Sequence, residues 1–339
     1  MRVHIALEKP GEDRPSSIDI YFKHIKEYMQ EQGVTFTEGR YDDPDAAPGT
    51  DIVWAPGMGN RRLPKVIFQS VLPTVVTLHG LQYLTDMPMI RSQGLRQGLG
   101  HFVWRLKIRA DWLRMRKKVT AVISVSNTLT AQIQRRLHVP SEKIHVIPHG
   151  VTEQFFLPSD VHQDAQGEYI LHLSQYSGVK NLERMMDAYA MVRQQIGLPF
   201  RLISVGHPPE LLPPEGCDLI SEPTSRHNVP DLMRNAHAFL FPSLEESFGL
   251  PVLEAMASGV PVVTSLGTGA GEVAGDAAVL VDPKDTSAIA EGLLRCATDT
   301  NLRCRLREAG QKRAKQFTWQ ASGEQHLTLF RALLESRPG

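Results

Sequence analysis

The sequence predicts an α/β protein built from two doubly wound domains in series, each a parallel sheet with helices on both faces. Three observations carry that prediction. Short, continuous apolar and β-branched runs alternate with longer amphipathic stretches, the mark of strands buried on both faces and of the helices that cover them. The alternation halts at a polar, Pro-containing segment, VTEQFFLPSDVHQDAQGE, and then restarts. A chain of 339 residues with 42% hydrophobic side chains is also long enough for two cores.

In chain order, the first half offers the strands VHIAL, DIVWAP, TVVTLHG, AVISVS and IHVIPHG. Helical patterns such as SIDIYFKHIKEYMQEQG and NTLTAQIQRRLH lie between them. In the first of these helices Ser16 and Ser17 are suited to the start, because a serine hydroxyl accepts from the first-turn amides. The second half offers EYILHLS, FRLISVG, CDLISE, AHAFLFPS, PVVTS and AAVLVDP, again with helices between, and closes on TNLRCRLREAGQKRAKQ and SGEQHLTLFRALLE. The expected domains are 1–155, joined by the C-terminal helix 320–339, and 165–318, with residues 151 to about 167 as linker. Two such domains are expected to face a cleft lined by the carboxyl ends of their strands.

Composition excludes several classes. Lys+Arg and Asp+Glu both number 37, so overall charge names no partner. The three cysteines, Cys217, Cys296 and Cys304, fit neither a disulfide framework nor a zinc site, and a reducing cytoplasm is expected. The N-terminal residues MRVHIALEKPGEDRP do not read as a signal peptide, and no apolar run reaches membrane-spanning length. No Gly-x-Gly-x-x-Gly follows either domain's first strand, which disfavours a nicotinamide dehydrogenase.

The most informative stretch is FPSLEESFGLPVLEAMASGVPVVTS, residues 241–265. A strand ends near Pro242, and Pro251 suits the first turn of a helix, where its missing N–H has no intrahelical partner. Gly259 ends that helix. The backbone amides around Phe248, Gly249 and Leu250 would lie at a positive helix end, a ready site for a phosphate or a sugar hydroxyl. Seven residues separate Glu246 in the loop from Glu254 in the helix, so the two can grip different parts of one extended ligand. Either acid alone reads better as a solvated or dipole-complementing residue; it is the whole string that points to a ligand.

With its Glu, seven residues and second Glu around Phe-Gly-Leu-Pro, this stretch resembles the donor-site signature of the family 4 retaining glycosyltransferases of GT-B fold. VKNLERMMDAYAMV, VPDLMRNAHAFLFPS, GEVAGDAAVLVDPKDTSAIAEGLL and FTW follow the family pattern in order, as do VVTLHGLQYL, AVISVSNTLT and SEKIHVIPHGV in the first half. The resemblance implies two Rossmann-like domains, an N-terminal acceptor domain and a C-terminal nucleotide-sugar donor domain. It implies that Glu246 faces the donor sugar, that Glu254 accepts from the nucleotide ribose, and that Lys180 neutralises the diphosphate of the leaving group. His79 would bond the sugar or stabilise it with a positive face. Ser247, Phe248, Gly249, Leu250 and Gln175 complete the implied donor-binding set. Ser126 and Pro148-His149-Gly150 lie at other strand ends, where loop packing explains them as well; Glu272, which follows the Gly-rich turn GTGAG, would sit near the donor.

Two positions depart from the family. Ser174 and Gln175 stand where Gly and Arg are usual, which removes a bidentate phosphate clamp. The first-strand loop, EKPGEDRPSS, lacks the family's Gly-Gly, which would allow close backbone approach. No metal is expected: the Asp-x-Asp of DDPD, residues 42–45, sits in a Pro-containing loop and reads as a solvated turn.

Residues 91–118 hold nine basic side chains and one acid, Asp111, interleaved with Leu95, Leu99, Phe102, Trp104 and Trp112. This segment either draws the first domain to an anionic membrane or acceptor, or is a core-facing helix with a solvated basic back. Nucleic acid is disfavoured, since no matching fold signature accompanies the charge.

The expected activity is therefore retaining, metal-independent transfer of a hexosyl unit, mannose or glucose first, from a nucleotide-diphosphate sugar to a glycan or lipid-linked acceptor. The expected location is the cytoplasm or the inner membrane face, with the donor as co-substrate and no other cofactor. The alternatives are a nucleotide-sugar-binding partner subunit without catalysis, or another GT-B enzyme such as an epimerase or phosphorylase.

Overall fold

Continuous apolar strands form two separate parallel sheets. They are seen in a computed structural model that describes residues 1–8, 17–57, 64–81, 95–156 and 169–336, with the side chains of 95–105 and 109 outside the described set. Chain contacts divide it into one unit of Met1–Gly150 with Thr318–Gly339 and a second of Val151–Phe317. The boundary thus falls five residues earlier than expected: Val151–Phe155 belong to the second unit. Phe155 is fully buried and draws that segment there.

The first unit runs β1 (Arg2–Leu7), α1 (Ser17–Glu31), β2 (Thr35–Arg40), β3 (Ile52–Ala55), α2 (Lys65–Gln69), β4 (Thr74–Leu78), α3 (Leu95–Lys118), β5 (Ala121–Ser124), α4 (Asn127–Leu137) and β6 (Ile144–Val146). Its strand order is β2-β1-β3-β4-β5-β6, all parallel. Five of these strands follow the apolar runs. The sixth, β2, is TFTEGR, a polar edge strand with one buried residue, so periodicity had nothing to detect.

The second unit runs β7 (Tyr169–Gln175), α5 (Leu182–Ile196), β8 (Phe200–Val205), β9 (Cys217–Ile220), α6 (Val229–Arg234), β10 (Ala236–Phe241), α7 (Leu250–Ala257), β11 (Val262–Ser265), α8 (Gly269–Ala274), β12 (Val279–Val281), α9 (Thr286–Thr298) and α10 (Thr300–Ala314). Helix α11 (Trp319–Glu335) then returns to the first unit and packs along α1. The second sheet is also parallel, in the order β12-β11-β10-β7-β8-β9. Counted from β7, this is the 3-2-1-4-5-6 arrangement of doubly wound sheets. It reverses between β7 and β10, and ligands of such sheets bind beyond the carboxyl ends of the strands at that reversal.

Candidate functional site

The loops that leave β7 and β10 are held together by one side chain, Asn181. It lies in the left-handed region, φ 64°, a conformation asparagine tolerates better than most residues. Its buried amide donates to the Pro242 carbonyl at 2.9 Å, just past β10, and to the Pro283 carbonyl at 2.7 Å, past β12. The Leu244 amide adds a bond to the Val179 carbonyl at 2.8 Å. The ends of three strands are thus tied at one place.

There the structure brings Lys180 and Glu246 together. Lys180 closes a short 3₁₀ turn, Gly178–Lys180, and its ammonium donates to the Glu246 carboxylate at 2.7 Å. Lys180 Nζ also lies 4.9 Å from the Phe241 ring centroid. Both side chains are largely covered, 17% and 14% exposed, so the pair is screened less than a surface ion pair.

Gly249 precedes α7 at φ 93°, where a side chain would be strained, and Pro251 occupies the first turn. The Glu246–Phe248 backbone rests on α8: Gly269 donates its N–H to the Glu246 carbonyl at 2.7 Å, and a Cβ on Gly269 would stand 2.1 Å from the Ser247 carbonyl oxygen. Gly269 and Gly271 of the GTGAG segment, residues 267–271, therefore serve close packing, whereas Gly267 serves a left-handed turn at φ 74°. Ser247, Phe248 and Leu250 are buried, and the Phe248 ring meets Phe317 edge-on at 6.0 Å. Phe248 and Leu250 can thus face a ligand by their backbone, their side chains being core. Gln175 is exposed at the end of β7, paired in register with Val205. Glu272 lies in the first turn of α8.

Glu254 is buried and takes a two-pronged ion pair from Arg226, which precedes α6. Burial pushes its carboxyl above the ordinary range, and Arg226 opposes that by charge and hydrogen bonding. Neither Arg226 nor Asn181 was singled out by sequence. The VKN tripeptide offered a faint cue to Asn181, while Arg226 sits in TSRHN, which matches no pattern.

His79 follows β4 in the first unit. Its Nε2–H donates to the Pro56 carbonyl at 2.7 Å, so Nδ1 is the acceptor and receives the His149 Nε2–H at 3.3 Å. The two rings stack 5.2 Å apart, with Tyr21 4.7 Å from His79. Burial depresses His79 to about 4, and the Pro56 bond only partly offsets this. The ring is neutral at pH 7 with both nitrogens engaged inside its own unit, which removes the positive face expected of it. Below lies an ordered chain: Trp54 Nε1–H donates to Thr77 Oγ1 at 3.1 Å, Thr77 to Tyr21 Oη at 3.0 Å, and Tyr21 to His326 Nε2 at 2.7 Å. His326 Nδ1–H ends on the Ser322 carbonyl at 2.7 Å.

The remaining candidates make local contacts. Ser126 caps α4, accepting from the Leu129 amide at 3.0 Å. In the 42–45 turn, Asp43 accepts from the Arg40 amide at 2.6 Å and Asp42 lies 3.7 Å from Lys65. The first-strand loop, residues 9–16, and the 91–94 part of the basic segment lie outside the described residues.

Comparison with known proteins places these features in a family. The model of glycosyl transferases group 1 matches residues 156–313, and that of glycosyltransferase family 4 matches residues 48–155. O-antigen chain mannosyltransferase B of Escherichia coli is 28% identical over 230 residues, 62% of this chain and 60% of that protein. MMP alpha-(1->4)-mannosyltransferase of Mycolicibacterium hassiacum is 26% identical over 292 residues, 81% of this chain and 68% of that one. Among solved structures, Anabaena HepE in complex with UDP and glucose superposes with a TM-score of 0.71 at 18% identity, covering 98% of this chain and all of the other. The chain belongs to family 4 of the glycosyltransferases, and its fold is GT-B.

Proposed function

We propose that this protein transfers a hexosyl unit from a nucleotide-diphosphate sugar to an acceptor hydroxyl, with retention of configuration and without a metal ion. The observation that carries the proposal is the Lys180–Glu246 bond of 2.7 Å at the sheet's reversal point. A sugar joined to a diphosphate presents hydroxyls and phosphate oxygens a few ångströms apart. An ammonium and a carboxylate within one hydrogen bond can meet both sides of that junction.

As the glycosidic bond breaks, negative charge grows on the diphosphate and positive charge on the ring. Lys180 and the backbone at the start of α7 would meet the former, and Glu246 would orient the latter through its hydroxyls. Glu254 would accept from the ribose. No side chain of the set is placed as a covalent nucleophile, so the leaving phosphate oxygen is assigned the acceptor's proton. Mannose and glucose are the favoured sugars: two relatives are named mannosyltransferases, and the Anabaena structure holds UDP and glucose.

The acceptor is proposed to be a glycan, free or lipid-linked. On α3, Leu106 and Leu113 are 51% and 44% exposed, one heptad apart, with Lys107, Arg114, Lys117 and Lys118 exposed around them. That face supports a reading in which the first unit rests at the cytoplasmic side of an anionic membrane. No described helix is long and apolar enough to cross one.

The test is a thermal-shift screen of UDP-, GDP- and ADP-sugars followed by a transfer assay, since a donor stabilises the fold by mass action. Glu246→Ala leaves the covered Lys180 ammonium without its partner and should still fold, melting several degrees below wild type, but lose turnover by about a hundredfold or more. Wild-type turnover in that variant refutes the site. Donor binding with no transfer to any acceptor favours the partner-subunit alternative.

A further inference from the structure

The reading above uses Glu254 but not the residue that covers it. The Glu254 side chain is 3% exposed, whereas Arg226 is 38% exposed, so a ligand approaching the carboxylate meets the guanidinium at its border. Arg226 Nη1 donates to Oε2 at 3.2 Å and Nη2 donates to Oε1. Its guanidinium carbon lies 5.4 Å from the ring centroid of the fully buried Phe155. A planar fork seated on a carboxylate and resting against a fixed ring has little freedom to turn.

A carboxylate offers about four acceptor positions, two on each oxygen. Arg226 takes one on each oxygen and leaves one on each, the arrangement that suits a vicinal diol. Neutral Glu254 would lose this symmetry, because one oxygen would carry a proton and donate. The other elements packed on α7 supply no substitute cation; on α10, Arg305 and Lys312 are exposed and Arg303 acts on Cys296 instead. Asp231 and Arg234 of α6 pair with each other. Arg307 and Arg313 of α10 donate to the carbonyls of Gly259, Val273 and Glu272, and His237 of β10 bonds the Ala297 carbonyl. Glu272 of α8 and the exposed Glu153 bring only acids, and β11 has no titratable group. Among the described residues, Arg226 is the charge that acts on Glu254.

We infer that Arg226 is a positioning residue of the donor site, holding Glu254 ionised and in one orientation so that it accepts both hydroxyls of a ribose. The inference rests on the reading of Glu254 as the ribose acceptor. It also gives the chain a guanidinium in the nucleotide pocket although position 175 is Gln.

Titration calorimetry with UDP, GDP and ADP, each against its 2′,3′-dideoxy form, tests this between pH 6 and 9, with thermal melting as the check on folding. Wild type should prefer the ribo form throughout. In Arg226→Met the preference should fall about tenfold or more at pH 6.5, as a buried carboxyl without its counter-charge takes up a proton, and should return as the pH rises. Arg226→Lys should restore much of it. Glu254→Gln should abolish the preference at every pH. A preference in Arg226→Met that is unchanged, or reduced equally at all pH values, overturns the role of Arg226 and leaves Glu254 standing. A preference retained in Glu254→Gln overturns the ribose reading and this inference with it, as does failure of wild type to bind any of the three nucleotides.

Discussion

Asn181 shows how one residue can hold several loops in place. It sits at a positive φ and satisfies two buried carbonyls on different loops, so its conformation and its side chain each matter. The two contributions separate by substitution. Asn181→Gly keeps the backbone conformation and strands the Pro242 and Pro283 carbonyls, and should cost roughly 1–3 kcal/mol in urea denaturation. Asn181→Ala adds the strain of an alanine in the left-handed region, roughly 1 kcal/mol more. Equal stabilities for the two variants would show that φ carries no weight there. Glu246 was legible from its spacing to Glu254, and Lys180 from the family resemblance of the VKN stretch. Arg226 was not, because its value lies in a partner 28 positions away that only the fold brings near.

At the scale of elements, β10, the following loop, α7 and α8 act as one assembly. The limits of α7 were readable: Pro251 marks its start, and Gly259 at φ 72° its end. The role of α8 was not. GTGAG reads as a loop of glycines, yet Gly269 is there because the Ser247 carbonyl occupies the space a methyl group would need. Gly269→Ala should push the Glu246–Phe248 segment away. We expect it to lower donor affinity about tenfold or more and the melting temperature by several degrees, read by calorimetry and thermal melting. Gly267→Ala, in the same glycine cluster but with nothing within 4 Å of a Cβ, adds only the strain of its left-handed φ of 74°, roughly 1 kcal/mol, and should lower melting slightly while leaving donor affinity near wild type. All six expected strands of the second unit are present: β10 and β11 are buried throughout, and even edge strand β9, with Asp218 exposed, keeps three apolar residues in four. Edge strand β2 was missed for the opposite reason, a sequence of Thr, Glu, Gly and Arg around one Phe.

Over the whole molecule, several histidines are buried as neutral rings. His79 and His326 are depressed to about 4 and His172 to about 3, each mainly by burial, and His149 is lowered as well. Their ordinary value in the unfolded chain is 6.5, so between pH 6.5 and 4 the unfolded chain binds more protons. Stability is therefore complete above about pH 6.5 and falls as the medium is acidified, by roughly 3 kcal/mol for His326 alone. Melting curves from pH 7.5 to 5 should shift downward, and His326→Gln should reduce that slope. A slope that stays the same would remove His326 from the account.

The path of the chain between the units has a consequence of its own. It leaves the first unit after Gly150 and re-enters at Thr318, and the Val151 amide bonds the Phe317 carbonyl at 3.0 Å, so outbound and inbound strands run side by side. Tyr21, near the beginning, waits for His326, made 305 residues later. On the ribosome, the segment synthesised second is therefore complete first, and the earlier half matures only when the last helix emerges.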